Sequence, residues 1–572
     1  MSGSPAADTF DGGEALVRAA IDLGADYIFS SSGSEWAPVW EAYARRAEAG
    51  ARSPKYVDLT HETTAVGMAT GYAAVTGRTQ VVLLHAAAGL LQGANAVHGA
   101  LLTGAPVVVC SGESTGYGDA AGPDPGSQWY RNLSVVGGPQ AVAAPFTKCA
   151  CAAADVSVLS GMVKRAGELA AQAPPGPVYV NTPVEVLLAR WRPSAAEAPA
   201  PPPGRTVATA GDIDAAARLL VAARNPVLAT EAAGRDPGAF GALVELAELL
   251  AIPVVEPQSA LCANFPRTSA LHAGGELAPL AKDADLVILL GCRAPWYPPS
   301  AKPGNATVLV IDETPHRPHI AYQVLTASQY VGGDMAATLR ALADRVRELG
   351  QDPEVVTARR ERLAAAHATS EESRLRAESA AAAADGHVDP VAAAAALRDV
   401  LGPDAVVIDE TITHSRLIAR HLMARTPGRY RYVQGGLGQG LGVALGAKLA
   451  LGDRLVAFTV GDGSWLYNPV LPGLMASAGY GLPVLVVVFN NGKYLSMRHN
   501  HRRVYPDSVA ARTGYQLGVD LSAQPDAAAV AVAAGAAGFT VSTARELAPA
   551  LEKAVATVRG GQTAVVNVFL SR

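Results

Sequence analysis

Cysteine is scarce in this chain of 572 residues: there are 5 (Cys110, Cys149, Cys151, Cys262 and Cys292), and no two stand in C-x-x-C spacing. That pattern argues against a zinc ribbon or a disulfide framework and predicts reduced, mostly buried thiols. Aromatic residues make up 6%, and neither sign of charge dominates, with 46 Lys plus Arg against 51 Asp plus Glu and a net charge of −5. A mildly acidic chain without a long basic run is not built for nucleic acid or for a membrane surface. No apolar run reaches the ~20 residues needed to cross a bilayer, because Gly, Pro or a charge interrupts each one. The stretch Met1 to Gly13 lacks the positive and apolar regions of a signal peptide. A cytoplasmic protein without nucleic-acid or membrane partners is the expectation.

What is present is a globular composition, 49% hydrophobic and 17% charged, at a length that calls for about three or four domains. Two breaks punctuate it. "PSAAEAPAPPPG" from Pro193 reads as an exposed linker, and the Ala-, Arg- and Glu-rich stretch from Pro353 to about Asp389 reads as a helical connector on the surface. Between the breaks, short aliphatic runs end in small or polar residues: "QVVLLHA" and "APVVVCSG", then "NPVLATE", "IPVVEP", "ADLVILLG" and "ATVLVIDE", then "AVVIDET", "LVAFTVGDG" and "PVLVVVFNN". Such runs, separated by Ala-rich helical patterns, are what parallel α/β sheets require. They predict three Rossmann-like parallel-sheet domains, at 1–190, 205–350 and 391–572, with the helical connector at 351–390.

In open sheets of this kind ligands gather beyond the carboxyl ends of the strands. Two apolar runs there end on polar clusters, Gly461-Asp462-Gly463 and Asn490-Asn491, with 26 residues between them (464–489). A hard divalent cation such as magnesium takes about six oxygens and is commonly shared with substrate or cofactor phosphates. The Asp462 carboxylate, the Asn491 amide oxygen and a backbone carbonyl just beyond it, that of Lys493, could supply part of such a set. The flanking glycines allow close backbone approach to an anion. Ser464 stands where a helix would begin and turn its free N–H groups to phosphate. Helix capping is the competing explanation for a lone aspartate at a strand end.

G-D-G followed at this distance by N-N resembles the signature of thiamine diphosphate-dependent enzymes. Other segments agree. "GGLGQGLGVALGAKLALGDR" from Gly435 looks like the segment that precedes the diphosphate motif in their decarboxylases and acetolactate synthase-like members. "LTHETTAVGMATGYAAVTGR" looks like the stretch carrying the activating glutamate, and "LLHAAAGLLQGANAVHGALLTGAPVVVCSGE" is similar to the next block of benzoylformate decarboxylase-like members. The resemblance implies an amino-terminal pyrimidine-binding domain, a central domain and a carboxyl-terminal diphosphate-binding domain. It also implies thiamine diphosphate and Mg2+ as cofactors. Chains are expected to pair as a dimer or a pair of dimers, the pyrimidine domain of one facing the diphosphate domain of the other. FAD in the central domain is left open.

By the same resemblance, Glu62 hydrogen-bonds the coenzyme's pyrimidine and activates it. Leu437, between Gly436 and Gly438, is the bulky residue that holds the coenzyme bent. His85 stands where benzoylformate-type decarboxylases carry an active-site histidine and typical acetolactate synthases do not, and an imidazole can shuttle protons near neutral pH. A satisfied core histidine is the other reading. Ser34 matches a serine that hydrogen-bonds a substrate carboxylate, although turn serines are common. Thr413 and His414, after one strand and before a helix, could donate to the diphosphate, or the threonine could simply cap. A second histidine expected after "ADLVILLGCRAPWY" is missing, with Trp296 and Tyr297 as wall or packing residues in its place. Ser496, Met497 and Asn500 are candidate pocket wall. The implied activity is decarboxylation of a 2-oxo acid, with the resulting carbanion protonated to an aldehyde or added to a second carbonyl. The alternatives are an acetolactate synthase-like carboligase, a 2-hydroxyacyl-CoA lyase-like enzyme, or an inactive binding homologue, which should have lost Glu62, Asp462 or Asn491.

Overall fold

Unbroken runs of Val, Leu and Ile suit strands that are covered on both faces. In the computed structural model the runs read from the sequence become strands of three parallel sheets. The structure describes residues 10–115, 123–124, 126, 137–193, 204–293, 295–296, 301–316, 327–384, 386–515 and 517–571. The chain divides into two units, one of Met1–Gly204, Val433–Asp453 and Leu466–Val484, the other of Arg205–Tyr432, Arg454–Trp465 and Leu485–Arg572.

The strands of the first unit, in chain order, are β1 (Phe10–Asp11), β2 (Tyr27–Ser31), β3 (Lys55–Leu59), β4 (Gln80–Leu84), β5 (Val107–Ser111), β6 (Ala150–Ala152), β7 (Val178–Asn181) and β8 (Arg190–Trp191). β1 and β8 form a small antiparallel pair. The other six make a parallel sheet in the order β3-β2-β4-β5-β7-β6. Ile28, Val81, Leu83, Val108 and Val180 pack with Leu16, Trp36, Leu159 and Val163 in one core. Each such side chain, fully removed from water, contributes about 1.5–3 kcal/mol.

The helix Glu62–Thr76 crosses the helix Gly440–Leu451 of the same unit with backbones in contact. Small residues at i and i+4 on both helices make this possible: Gly67 and Gly71 on one, Gly442 and Gly446 on the other. A Cβ at Gly71 would run into the Val443 carbonyl, and one at Gly446 into the Met68 carbonyl. The crossing fixes where the loop before Gly440 lies, and that loop carries Leu437.

The second unit holds β9 (Pro226–Thr230), β10 (Val254–Val255), β11 (Leu286–Leu290), β12 (Thr307–Asp312) and β13 (Gln329–Gly332), paired in the order β10-β9-β11-β12-β13. The connector forms a single helix, Pro353–Ala382. Arg359 docks it by donating to the Leu250 carbonyl at 2.8 Å and the Ala223 carbonyl at 3.1 Å. The last sheet comprises β14 (Val406–Glu410), β15 (Tyr430–Tyr432), β16 (Val456–Gly461), β17 (Leu485–Asn490), β18 (Ala537–Val541) and β19 (Ala564–Phe569), in the order β15-β14-β16-β17-β19-β18. The first and last sheets therefore share one strand order. In each, the first strand lies between the second and the third, and the loops after the first and third strands (β2 and β4; β14 and β16) flank the switch point where ligands bind. Among the described residues no helix is long and apolar enough to cross a membrane.

Candidate active site

The first unit gathers Ser34, Glu62, His85 and Leu437 around its switch point. Ser34 opens a short 3-10 turn after β2, and His85 follows β4 directly. Glu62 begins its helix behind the cap residue His61, whose Nδ1 accepts the Thr63 N–H at 3.2 Å. A Cβ at Gly89 would lie 2.9 Å from the His85 Cβ and 3.3 Å from Glu62 Oε1, so both side chains rest against that one glycine. One helical turn on, at Gly93, a Cβ would lie 3.4 Å from the Glu62 Cβ. Farther along this helix Asn95 donates to the Leu437 carbonyl at 3.1 Å, and the Asn95 side chain occupies the place a Cβ at Gly436 would need. Gly438 has φ +98° and abuts the Tyr467 carbonyl, a conformation and a clearance that suit glycine alone.

Two carboxylates that the sequence reading passed over complete this region. Glu35 is fully buried; its oxygens both lie 2.9 Å from His85 Nδ1, and Oε1 accepts the Ala86 N–H at 2.6 Å. Glu113, also fully buried, accepts the Ala87 N–H at 2.6 Å and the hydroxyls of Ser111 and Tyr179. Burial pushes the Glu113 carboxyl above the usual range, and these hydrogen bonds only partly offset it. Ala87 sits at φ +51°, ψ −73°, a backbone state that costs an L-residue about 1–3 kcal/mol and persists only where its surroundings enforce it. A clue lay in "SGSEW" and "CSGE", where a glutamate stands two residues or fewer beyond a glycine at a strand end.

The second unit places Thr413, His414, Gly461, Asp462, Gly463, Ser464, Asn491 and Lys493 at the ends of β14, β16 and β17. Asp462 is buried and opens the helix Asp462–Tyr467, so that helix starts two residues before Ser464. Its Oδ1 accepts the Gly463 N–H at 3.0 Å; its Oδ2 accepts the Lys493 N–H at 3.2 Å and Gln524 Nε2 at 3.1 Å. The Lys493 N–H also reaches Asn491 Oδ1 at 3.1 Å. A carboxylate and a carboxamide oxygen thus converge on one N–H, the arrangement a hard cation asks of its protein ligands. Burial raises the Asp462 pKa against the effect of these donors. Asn490 has a different task, donating to Asn567 at 3.2 Å while accepting from Gly492 and Gln524, which ties β17 to β19. The Tyr494 ring fills the space a Cβ at Gly463 would need, a packing reason for that glycine beside the one read from sequence.

On the neighbouring strand end Ile412 has φ +56°, a true outlier for a β-branched residue. Asp409, fully buried, braces this loop by accepting the Thr411 N–H at 3.0 Å, the Thr411 and Thr459 hydroxyls at 2.8 Å each and the Tyr430 hydroxyl at 2.6 Å. His414 caps nothing with its side chain. It is buried, its Nε2 has no hydrogen-bond partner among the described residues, and desolvation, helped by nearby His499, lowers its pKa to about 4. An orphaned ring nitrogen just past the end of β14, the strand paired with the one that ends just before Asp462, fits an anion that would share the cation. The residues present therefore fit a divalent metal and a diphosphate.

Other expected wall residues fare differently. Trp296 packs against the core of the central sheet rather than standing open, and Tyr297 lies outside the described residues. Ser496, Met497 and Asn500 are exposed on the helix Leu495–Val504, none of whose residues is buried.

Comparison with known proteins gives the family. Three family models cover most of the chain: the thiamine pyrophosphate enzyme N-terminal TPP binding domain over residues 10–128, the central domain over 213–342 and the C-terminal TPP binding domain over 411–568. The chain belongs to the thiamine pyrophosphate enzymes. Acetolactate synthase isozyme 3 large subunit of Escherichia coli K12 is 27% identical over 98% of this chain and 95% of its own length. Benzoylformate decarboxylase of Pseudomonas aeruginosa is 29% identical over 78% and 80%, respectively. Among solved structures, a thiamine diphosphate-dependent 4-hydroxybenzoylformate decarboxylase of Rhodococcus jostii RHA1 superimposes with a TM-score of 0.79 at 24% identity, covering 98% of this chain and 99% of that one.

Proposed function

We propose that this chain is a Mg2+- and thiamine diphosphate-dependent decarboxylase of 2-oxo acids that releases an aldehyde. The observation that carries the reading is His85, held after β4 with Glu62 against the same glycine. The coenzyme supplies the electron sink that lets the bond between the carbonyl carbon and the carboxylate break. Asp462, Asn491 and the Lys493 carbonyl hold the cation. His414, Thr413 and the helix that begins at Asp462, with Gly461, Gly463 and Ser464, serve the diphosphate. Glu62 would hydrogen-bond the coenzyme's pyrimidine, and Gly436, Leu437 and Gly438 would hold the coenzyme bent. Ser34 orients the substrate carboxylate, and His85 delivers a proton to the carbon that carbon dioxide leaves.

Carboligation is the second reading, favoured by the E. coli acetolactate synthase match over 95% of that protein's length. A panel of 2-oxo acids with thiamine diphosphate and magnesium separates the two. Aldehyde from an aryl or branched acid supports the first, and acetolactate from pyruvate alone supports the second. Self-association into a dimer or tetramer is part of the proposal. Leu466, Tyr467, Leu471, Met475 and Tyr480 are all exposed within one short stretch, an apolar surface of the kind a second copy covers. Light scattering on the eluted protein measures that state. The reading places the enzyme in the cytoplasm.

A further inference from the structure

Two consecutive amides just after His85 are each held by a different buried carboxylate, and neither carboxylate pairs with a Lys or Arg among the described residues. Glu35 Oε1 accepts the Ala86 N–H, and both Glu35 oxygens lie equally close, at 2.9 Å, to His85 Nδ1. One oxygen already accepts an amide and the second is equally close to the ring, a geometry that suits Glu35 as acceptor with the hydrogen on Nδ1. Space for this pair is cleared by two glycines: a Cβ at Gly33 would strike His85 Nδ1 and the Glu35 carboxylate, and a Cβ at Gly112 would lie 2.5 Å from Glu35 Cγ. On the other side, Glu113 accepts the N–H of Ala87, whose φ is positive. Among the described residues, the charged or titratable groups around His85 include Glu35 from the turn after β2, Glu62 from the start of its helix and, bonded to the backbone two residues on, Glu113 with Tyr179.

We infer that Glu35 is a positioning residue for His85: it accepts the Nδ1–H hydrogen bond and thereby makes Nε2 the nitrogen that serves the substrate, taking up a proton from water and passing it to the carbon that carbon dioxide leaves, while Glu113 fixes the backbone on which the ring is carried. This rests on the proposed decarboxylase reading. A carboxylate orienting a histidine through its second nitrogen is the device that sets tautomer and ring plane in other proton-transfer sites. Glu35 itself touches no substrate.

The test is Glu35→Gln, read first by 15N NMR of ring-labelled histidine without coenzyme, the His85 signal being assigned by its loss in His85→Ala. The parent should show the Nδ1–H tautomer at His85 and the variant should not. With thiamine diphosphate and magnesium, aldehyde-forming kcat should fall about 10- to 100-fold, with KM within about threefold and with hydrogen exchange at the thiazolium carbon unchanged. In a His85→Ala background Glu35→Gln should have no further effect on kcat. A parent His85 in the Nε2–H form, or an additive loss in the double variant, overturns the assignment. If the tautomer changes as expected but the parent forms no aldehyde from any 2-oxo acid, the functional reading fails and the Glu35–His85 pairing stands. Should Glu35→Gln not fold, the parent tautomer and Glu113→Gln decide. Glu113→Gln keeps an acceptor for the Ala87 N–H and is expected to leave the Nδ1–H form in place, and loss of that form would contradict the division of labour.

Discussion

The first and last sheets have the same strand order and put their polar residues at the same topological position, yet they use carboxylates in opposite ways. At the ends of β2 and β5, Glu35 and Glu113 are spent on the protein itself: they accept backbone amides, and one of them also holds an imidazole. At the ends of β14 and β16, Asp462 collects a backbone amide, its own neighbour's amide and the Gln524 carboxamide. All of those are neutral donors, and among the described residues no Lys or Arg pairs with Asp462. On the proposed function, the first arrangement sets a proton-transfer group in advance. The second is a cradle whose charge calls for a cation. One fold thus builds an acid–base end and an electrostatic end by changing what faces the carboxylate.

The comparison breaks most visibly at Glu62. Glu62→Gln should cut turnover by about 10²- to 10⁴-fold, the span of a lost general acid–base group, while coenzyme affinity stays within severalfold, as measured by steady-state assay and calorimetry. Retained turnover would move activation away from the first sheet. A carboxylate with a full counter-charge supplies the next step in scale. Glu256 in the central domain is completely enclosed; burial alone would raise its pKa, but Arg267 at 2.6 Å, with His272 at 3.0 Å, brings it down to about 2. A depressed folded-state value means that its stabilisation is complete above the ordinary glutamate range and is lost as pH falls from about 4.3 toward that value. Glu256→Gln should therefore cost about 3–5 kcal/mol at pH 7, and the difference from the parent should shrink in denaturant melts as the pH falls toward about 3.

Smaller effects sharpen the contrast. His85→Ala should slow aldehyde release about 100-fold and shift any product mixture toward ligation, with coenzyme binding intact; an unchanged product ratio would return His85 to a packing role. Gln524→Ala should weaken cation-dependent coenzyme binding about tenfold and leave the His85 tautomer untouched, since it acts at the other end.

Much of this was legible in the sequence, for reasons tied to particular residues. The buried strands announce themselves because both faces are apolar: Val484 to Phe489 and Val456 to Val460 read as strands without help. Edge strands do not. Lys55–Leu59 mixes exposed and buried positions, and Tyr430–Tyr432 is only three residues long. Asp462, Asn491 and Glu62 were found because spacing and resemblance single them out. Glu35, Glu113 and Gln524 were not, because their partners lie 50, 26 and 62 residues away in the chain; only the folded strand ends bring those pairs together. Trp296 shows the limit of such a reading: wall and packing were both open for an aromatic beside a strand end, and the core claims it.

The most direct measurement of the central claim is titration of the protein with thiamine diphosphate, with magnesium and then with the metal chelated, in the parent and in Asp462→Ala. Saturable binding that needs the cation and falls at least about 100-fold in the variant is the predicted result. Binding of equal strength in chelator and in Asp462→Ala would contradict it.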